Sequence, residues 1–112
     1  MTQHSYADQM KPFPERVIKT SPARGWEVNL PEMPSAGQSW EVRFDPDALW
    51  MVRNEYVPPR RRLTGDLEPG VRSLKFKSLR PGTTTLSLVL WDQTQKKVQQ
   101  ERLYRIITIG TA

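Results

Sequence analysis

The sequence predicts an all-β fold of two packed antiparallel sheets containing seven strands. Three observations support this. Apolar and polar residues alternate over short runs, which is the pattern of half-buried strands. Ten prolines and six glycines are spread over 112 residues, which favours short elements joined by turns. No stretch has a convincing helical pattern, and runs at this spacing are typical of a β-sandwich.

The domain is predicted to span residues 15–110. Residues 1–14 are polar, contain two prolines and lack periodicity, so we expect a mobile N-terminal tail. The first strand is a short run over 16–19. A chain of this length forms one domain with one small core.

Strands two and three, 25–30 and 38–44, flank a short loop. Each carries its apolar residues at every second position, which places them on one face. Those residues are Trp26, Val28 and Leu30 before the loop, and Trp40, Val42 and Phe44 after it. Trp26 and Trp40 alternate with polar neighbours, and we expect both of them, and also Trp50, in or near the core.

Strands four and five, 49–56 and 70–78, are delimited by turn residues. Asp45-Pro-Asp precedes strand four and is a turn signal. Pro58-Pro59 ends that strand, since proline cannot donate to a ladder. A polar connection over 60–69 leads to strand five.

Strands six and seven complete the fold. Leu79-Arg-Pro-Gly82 has a turn composition, and strand 83–91 follows with Leu86, Leu88 and Leu90 on one face. A polar loop over 92–97 then leads to the seventh strand, 99–109.

The sequence argues against catalysis and against a cofactor. There is no cysteine, which excludes a thiolate metal site and a cysteine nucleophile. His4 is the sole histidine and lies in the predicted tail, while Asp45 and Asp47 are explained by turn chemistry. No phosphate-binding glycine loop, nucleophile elbow or zinc spacing occurs. We therefore predict a protein that is not an enzyme and needs no metal.

A net charge of +5 raises the question of nucleic-acid binding. The basic residues cluster at Arg60, Arg61, Arg62, Arg72, Lys75, Lys77, Arg80, Lys96 and Lys97. A solvated sheet face with basic loops explains them, and edge lysines discourage strand pairing between molecules. Because no recognised nucleic-acid motif accompanies the charge, we predict no nucleic-acid partner.

No membrane partner is predicted either. The densest apolar run, 86–91, is far shorter than the roughly 18 residues that indicate a spanning helix. The N-terminus lacks the basic start and apolar middle of a secretory signal. We expect a cytoplasmic monomer as the sequence is written, or a periplasmic or secreted one if a leader was removed.

The loop between strands two and three has the composition of a preorganised projection. Met33-Pro-Ser-Ala-Gly37 contains a proline that fixes φ and a glycine that permits positive φ. With Trp40 it resembles the first binding loop of the chagasin family of cysteine-peptidase inhibitors, Asn-Pro-Thr-Thr-Gly followed by an aromatic, one residue and Trp. The positions that match outright are Pro34, Gly37 and Trp40, and Ser35 replaces a Thr. The positions that depart are Met33, Ala36 and Gln38.

The resemblance covers roughly residues 17–109. Tyr56-Val-Pro-Pro59 is similar to a Tyr-Phe-Pro-Pro segment of chagasin, and Pro81-Gly-Thr83 is similar to the family's Ala-Gly-Thr. Membership implies an immunoglobulin-like antiparallel β-sandwich of seven to eight strands. It also implies reversible inhibition of papain-family cysteine peptidases by three loops at one end of the sandwich, which occlude the active-site cleft.

The resemblance assigns three peptidase-binding loops. Loop one is Met33, Pro34, Ser35, Ala36, Gly37 and Gln38. Loop two is Leu67, Glu68, Pro69 and Gly70, where only Gly70 matches the family's Gly-x-Gly-Gly. Loop three is Trp91, Asp92, Gln93 and Thr94, which lacks the family's Arg-Pro pair but has an aromatic residue in Trp91. The alternative is an immunoglobulin-like interaction module that has a non-peptidase protein partner and no inhibitory activity.

Overall fold

The strands in the structure agree closely with those predicted. The computed structural model describes residues 16–59 and 68–110. Within these ranges it contains seven strands: β1 (Arg16–Thr20), β2 (Gly25–Glu32), β3 (Gln38–Arg43), β4 (Leu49–Val57), β5 (Gly70–Ser78), β6 (Gly82–Asp92) and β7 (Lys97–Thr108). The predicted tail, Leu67 and the Arg60–Arg62 cluster lie outside the described residues. No helix in the described part is long and apolar enough to cross a membrane.

The strands form two sheets. Sheet A has the order β1-β7-β6-β3, and sheet B has the order β2-β5-β4. All pairs are antiparallel except β1 with β7, which are parallel, a detail that the sequence analysis did not anticipate. A parallel pair cannot be joined by a tight turn, and here nearly the whole domain separates the two strands.

The core lies between the inner faces of the two sheets. Sheet B contributes Leu30, Leu74 and Phe76, and sheet A contributes Leu86, Leu88 and Ile106, all of them fully buried. Each such side chain contributes about 1.5–3 kcal/mol relative to an exposed position. Two aromatic neighbours, Trp26 and Phe44, pack on Phe76 with ring centroids 4.9 Å and 5.4 Å away.

One of the three tryptophans predicted for the core is not there. Trp40 is buried and Trp26 packs against the core, but Trp50 is 54% exposed. Trp50 lies on the outer face because its neighbour Leu49 fills the inward position of β4. Lys77 of the adjacent strand lies over the Trp50 ring, with the ammonium nitrogen 5.8 Å from the centroid. Both faces of β4 carry apolar residues, so the alternation pattern did not determine which face is buried.

Candidate functional site

Three connections leave the sandwich at the same end. In sheet A, Gln38 at the start of β3 pairs with Asp92 at the end of β6, which also pairs with Lys97 at the start of β7. In sheet B, the end of β2 pairs with the start of β5, and so does the end of β4. The structure therefore brings loops one and three and the described part of loop two to one end.

Loop one contains a short 3₁₀ turn over Pro34–Ala36. The Gly37 N–H donates to the Pro34 carbonyl (2.9 Å) and the Ala36 N–H to the Met33 carbonyl (3.0 Å). Gly37 has φ +84°, the left-handed conformation that the sequence anticipated for a glycine. Pro34, Ser35 and Ala36 are exposed at the tip, so the loop offers a rigid apolar and small surface.

The two ends of loop one are joined by side chains. The Trp40 backbone N–H donates to Glu32 Oε2 (2.8 Å), and the Trp40 indole N–H donates to the Pro31 carbonyl (2.8 Å). Among the described strands, β3 is an edge strand that pairs only with β6. Glu32 thus satisfies a backbone donor that no neighbouring strand satisfies.

Glu32 is paired with an arginine of β5. Its carboxylate is 1% exposed and accepts from Arg72 Nη2 (2.7 Å) and Nε (3.2 Å) through Oε1. The guanidinium also donates to Asn54 Oδ1 (3.2 Å) and lies 5.7 Å from the centroid of the Tyr56 ring. Arg72, one of the residues in the predicted basic cluster, therefore forms an ion pair with a buried carboxylate beneath the loops.

Loop three is organised by Asp92, which is buried. Its Oδ1 accepts from the backbone N–H groups of Thr94 (2.8 Å) and Gln95 (3.1 Å), and its Oδ2 accepts from the Gln99 amide (3.2 Å). Two backbone donors of the turn are satisfied in this way. Asp92 consequently shapes loop three from within, whereas Gln93 and Thr94 are exposed.

Loops one and three contact each other directly. The Gln93 N–H donates to the Gly37 carbonyl (2.7 Å). Gln38 Oε1 accepts from the Met33 N–H (3.1 Å) while its amide donates to Gln99 (3.2 Å). Gln38, which stands where the family has an aromatic, is turned into the base of the loop and connects it to β7.

Loop two is described from Glu68 onward. Glu68 and Pro69 are exposed, and Gly70 is buried opposite Glu32 in the β2–β5 ladder. A Cβ at Gly70 would collide with the Tyr56 hydroxyl and the Val57 carbonyl. Gly70 is therefore required for the close approach of β4 and β5 rather than for a positive φ.

Trp91 lies beside the loops, on the outer face of sheet A. It is half-buried and lines an open groove of about 570 Å³ together with Ser39, Glu41 and Gln93. The neighbouring residue Leu90 points inward to the core. Trp91 therefore offers an aromatic surface next to loops one and three.

Comparison with known proteins identifies the family of the chain. The family model described as "Chagasin family peptidase inhibitor I42" matches residues 24–109, which is more than half of the chain. The chain belongs to the chagasin family. Its partner is accordingly a protein, and the prediction that it is not an enzyme is confirmed by its membership of a family of inhibitors. No curated protein gives a significant match.

Two solved structures share the fold. The cysteine protease inhibitor EhICP2 from Entamoeba histolytica superposes with a TM-score of 0.72 at 18% identity, covering 84% of this chain and 86% of that one. Amebosin superposes with a TM-score of 0.57 at 18% identity, covering 88% of this chain and 99% of that one. The immunoglobulin-like sandwich implied by the resemblance is thereby confirmed.

The sequence analysis missed the residues whose side chains hydrogen-bond the bases of loops one and three. Glu32, Arg72 and Gln99 were not among the site residues, although a signal for the first two was present. Glu32 continues the inward series of Val28 and Leu30, and Arg72 continues that of Leu74 on the adjacent strand. Glu32 and Arg72 are diagonal neighbours on the inward face of sheet B, and opposite charges placed there indicate an ion pair.

The described residues do not form a metal site. Residues 16–59 and 68–110 contain no group of three His, Asp or Glu side chains able to hold a metal ion. Asp45 accepts from the Asp47 N–H through its side chain (2.9 Å), which is the turn chemistry that the sequence indicated.

Proposed function

We propose that this protein is a reversible inhibitor of papain-family cysteine peptidases, whose active-site cleft it occludes with loops one, two and three. The observation that supports this proposal is the braced loop one, with an exposed tip, in a chain of the chagasin family. EhICP2, which is a cysteine protease inhibitor by description, has the same fold.

Rigidity provides the physical basis for occlusion. The backbone of loop one is already hydrogen-bonded within its turn and to loop three, so docking orders few additional groups. Binding energy then comes from a few central contacts of the exposed tip with the cleft. Trp91 is a candidate aromatic anchor at the edge of that contact, and no chemical step by the inhibitor is needed.

The direct test is titration of papain, and of a cathepsin L-type enzyme, with the purified protein while hydrolysis of a peptide substrate is followed. We expect reversible inhibition at micromolar protein or below. Ala36→Trp enlarges the exposed tip without disturbing the core and should raise Ki about tenfold or more, since each 1.4 kcal/mol of lost binding is tenfold.

The matched control is Leu79→Trp, which adds a similar ring at an exposed position at the opposite end of the sandwich. Its Ki should equal that of the unmodified protein. Absence of inhibition at micromolar concentration would contradict the proposal and favour an interaction module with another protein partner. Equal effects of the two substitutions would place the contact away from loop one.

A further inference from the structure

We infer that the Glu32–Arg72 ion pair is a positioning device that sets the geometry of loop one relative to the start of β5, and through it the affinity for the peptidase. The affinity part of this inference rests on the proposed function. The part that concerns loop geometry does not.

Glu32 is placed so that its side chain joins the two ends of loop one. Glu32 is the last residue of β2, and its carboxylate bonds the backbone of Trp40 in β3, eight residues later (2.8 Å). The intervening residues include the whole 3₁₀ turn and Gly37. One side chain thus fixes the distance between the two ends of the projecting loop.

Arg72 of β5 connects Glu32 to β4 at the same end of the sandwich. Arg72 is two residues after Gly70, and its side chain is 23% exposed. Besides holding Glu32, its guanidinium reaches Asn54 and Tyr56 of β4, the strand that precedes the connection to loop two. Because the guanidinium is planar and its donors are held in a fixed fork, bonding Glu32 and Asn54 together restricts its orientation.

Stability alone does not account for such a pair. Burying a carboxylate and a guanidinium carries a desolvation penalty, and well-packed apolar residues are often as stable in the same place. A fully hydrogen-bonded network instead holds its members in one geometry. For a binding loop, that geometry lowers the entropy lost on docking.

The test replaces Glu32 by glutamine, which keeps the size and an acceptor for Trp40 but removes the charge. With the protein still folded by circular dichroism, Glu32→Gln should raise Ki about tenfold or more. Hydrogen exchange in the free protein should also become faster at the Gly37 and Gln38 amides, which are bonded within the turn.

Glu27→Gln is the matched control. Glu27 forms an ion pair with Arg53 (3.1 Å) on the outer face of sheet B, where both side chains are partly exposed. The chemical change is the same, but the pair does not bond loop one. We expect unchanged Ki and unchanged exchange at Gly37 and Gln38.

Each outcome decides the inference. A folded Glu32→Gln variant with the Ki and exchange of the unmodified protein overturns it. If that variant does not fold, Arg72→Lys keeps the charge but cannot place two N–H donors on Glu32 Oε1 and a third on Asn54. In that variant, hydrogen exchange at the Gly37 and Gln38 amides should become faster by a smaller factor. Unchanged exchange at these amides overturns the inference. If the unmodified protein inhibits no papain-like peptidase, the proposed function fails, while the exchange comparison still decides the role of the pair in loop geometry.

Discussion

Gly70 shows how one residue controls the approach of two strands beneath the candidate loops. It is buried against Tyr56 and Val57 of β4, and an added methyl group would meet the Val57 carbonyl. A backbone oxygen within a paired strand cannot move aside as the end of a flexible side chain can. The glycine is therefore a packing requirement at the point where β5 begins.

Gly70→Ala should lower the free energy of unfolding by about 1–3 kcal/mol, the usual range for overpacking. Urea denaturation followed by tryptophan fluorescence measures it. In the control Gly25→Ala, the added carbon meets the Lys75 Cε at 2.9 Å, which is part of a mobile side chain. That variant should change stability by about 0.5 kcal/mol or less. A loss of unfolding free energy for Gly70→Ala no larger than that for Gly25→Ala would contradict a tight contact between β4 and β5.

Among the elements, β4 is the one whose faces the sequence left ambiguous. Its limits followed from the Asp45-Pro-Asp turn and from Pro58-Pro59, and the structure places it over Leu49–Val57. Leu49 and Trp50 are adjacent and both apolar, so the pattern did not determine which points inward. The cross-strand partner decides it, because Leu49 faces the core while Trp50 pairs with Lys77.

The two faces of β4 should respond differently to truncation. Leu49→Ala removes a fully buried side chain and should lower the free energy of unfolding by about 2–5 kcal/mol. Trp50→Ala removes an exposed ring with one cation–π contact and should change it by about 1 kcal/mol or less. Denaturant melts of both variants measure the contrast, and a larger effect at Trp50 would contradict the assigned register.

For the molecule as a whole, the sequence predicted the strands and the two-sheet architecture because those depend on local alternation and on turn residues. The bracing of the loops depends instead on contacts between distant segments. Gln38 and Gln99 are 61 positions apart, and Glu32 and Arg72 are 40 apart. No local pattern encodes such pairs. The one sequence signal for the ion pair was that Glu32 and Arg72 both occupy inward-facing positions of their strands.

The family resemblance supplied what periodicity did not, namely that loops far apart in the chain lie at one end of the sandwich. That end now has a physical description. Loop one is closed by Glu32 and bonded to loop three through Gln93, and β5 begins beside it at Gly70. The account depends on this end, and not the opposite one, covering a peptidase cleft.

Alkylation of the peptidase is the most direct measurement of that claim. Papain is treated with iodoacetamide in the presence and absence of the protein at a concentration a few times its Ki, and the rate of modification of the catalytic cysteine of papain is followed by mass spectrometry. Occlusion predicts strong protection, which Ala36→Trp weakens and Leu79→Trp leaves intact. Modification at the same rate with and without the protein would contradict occlusion of the cleft.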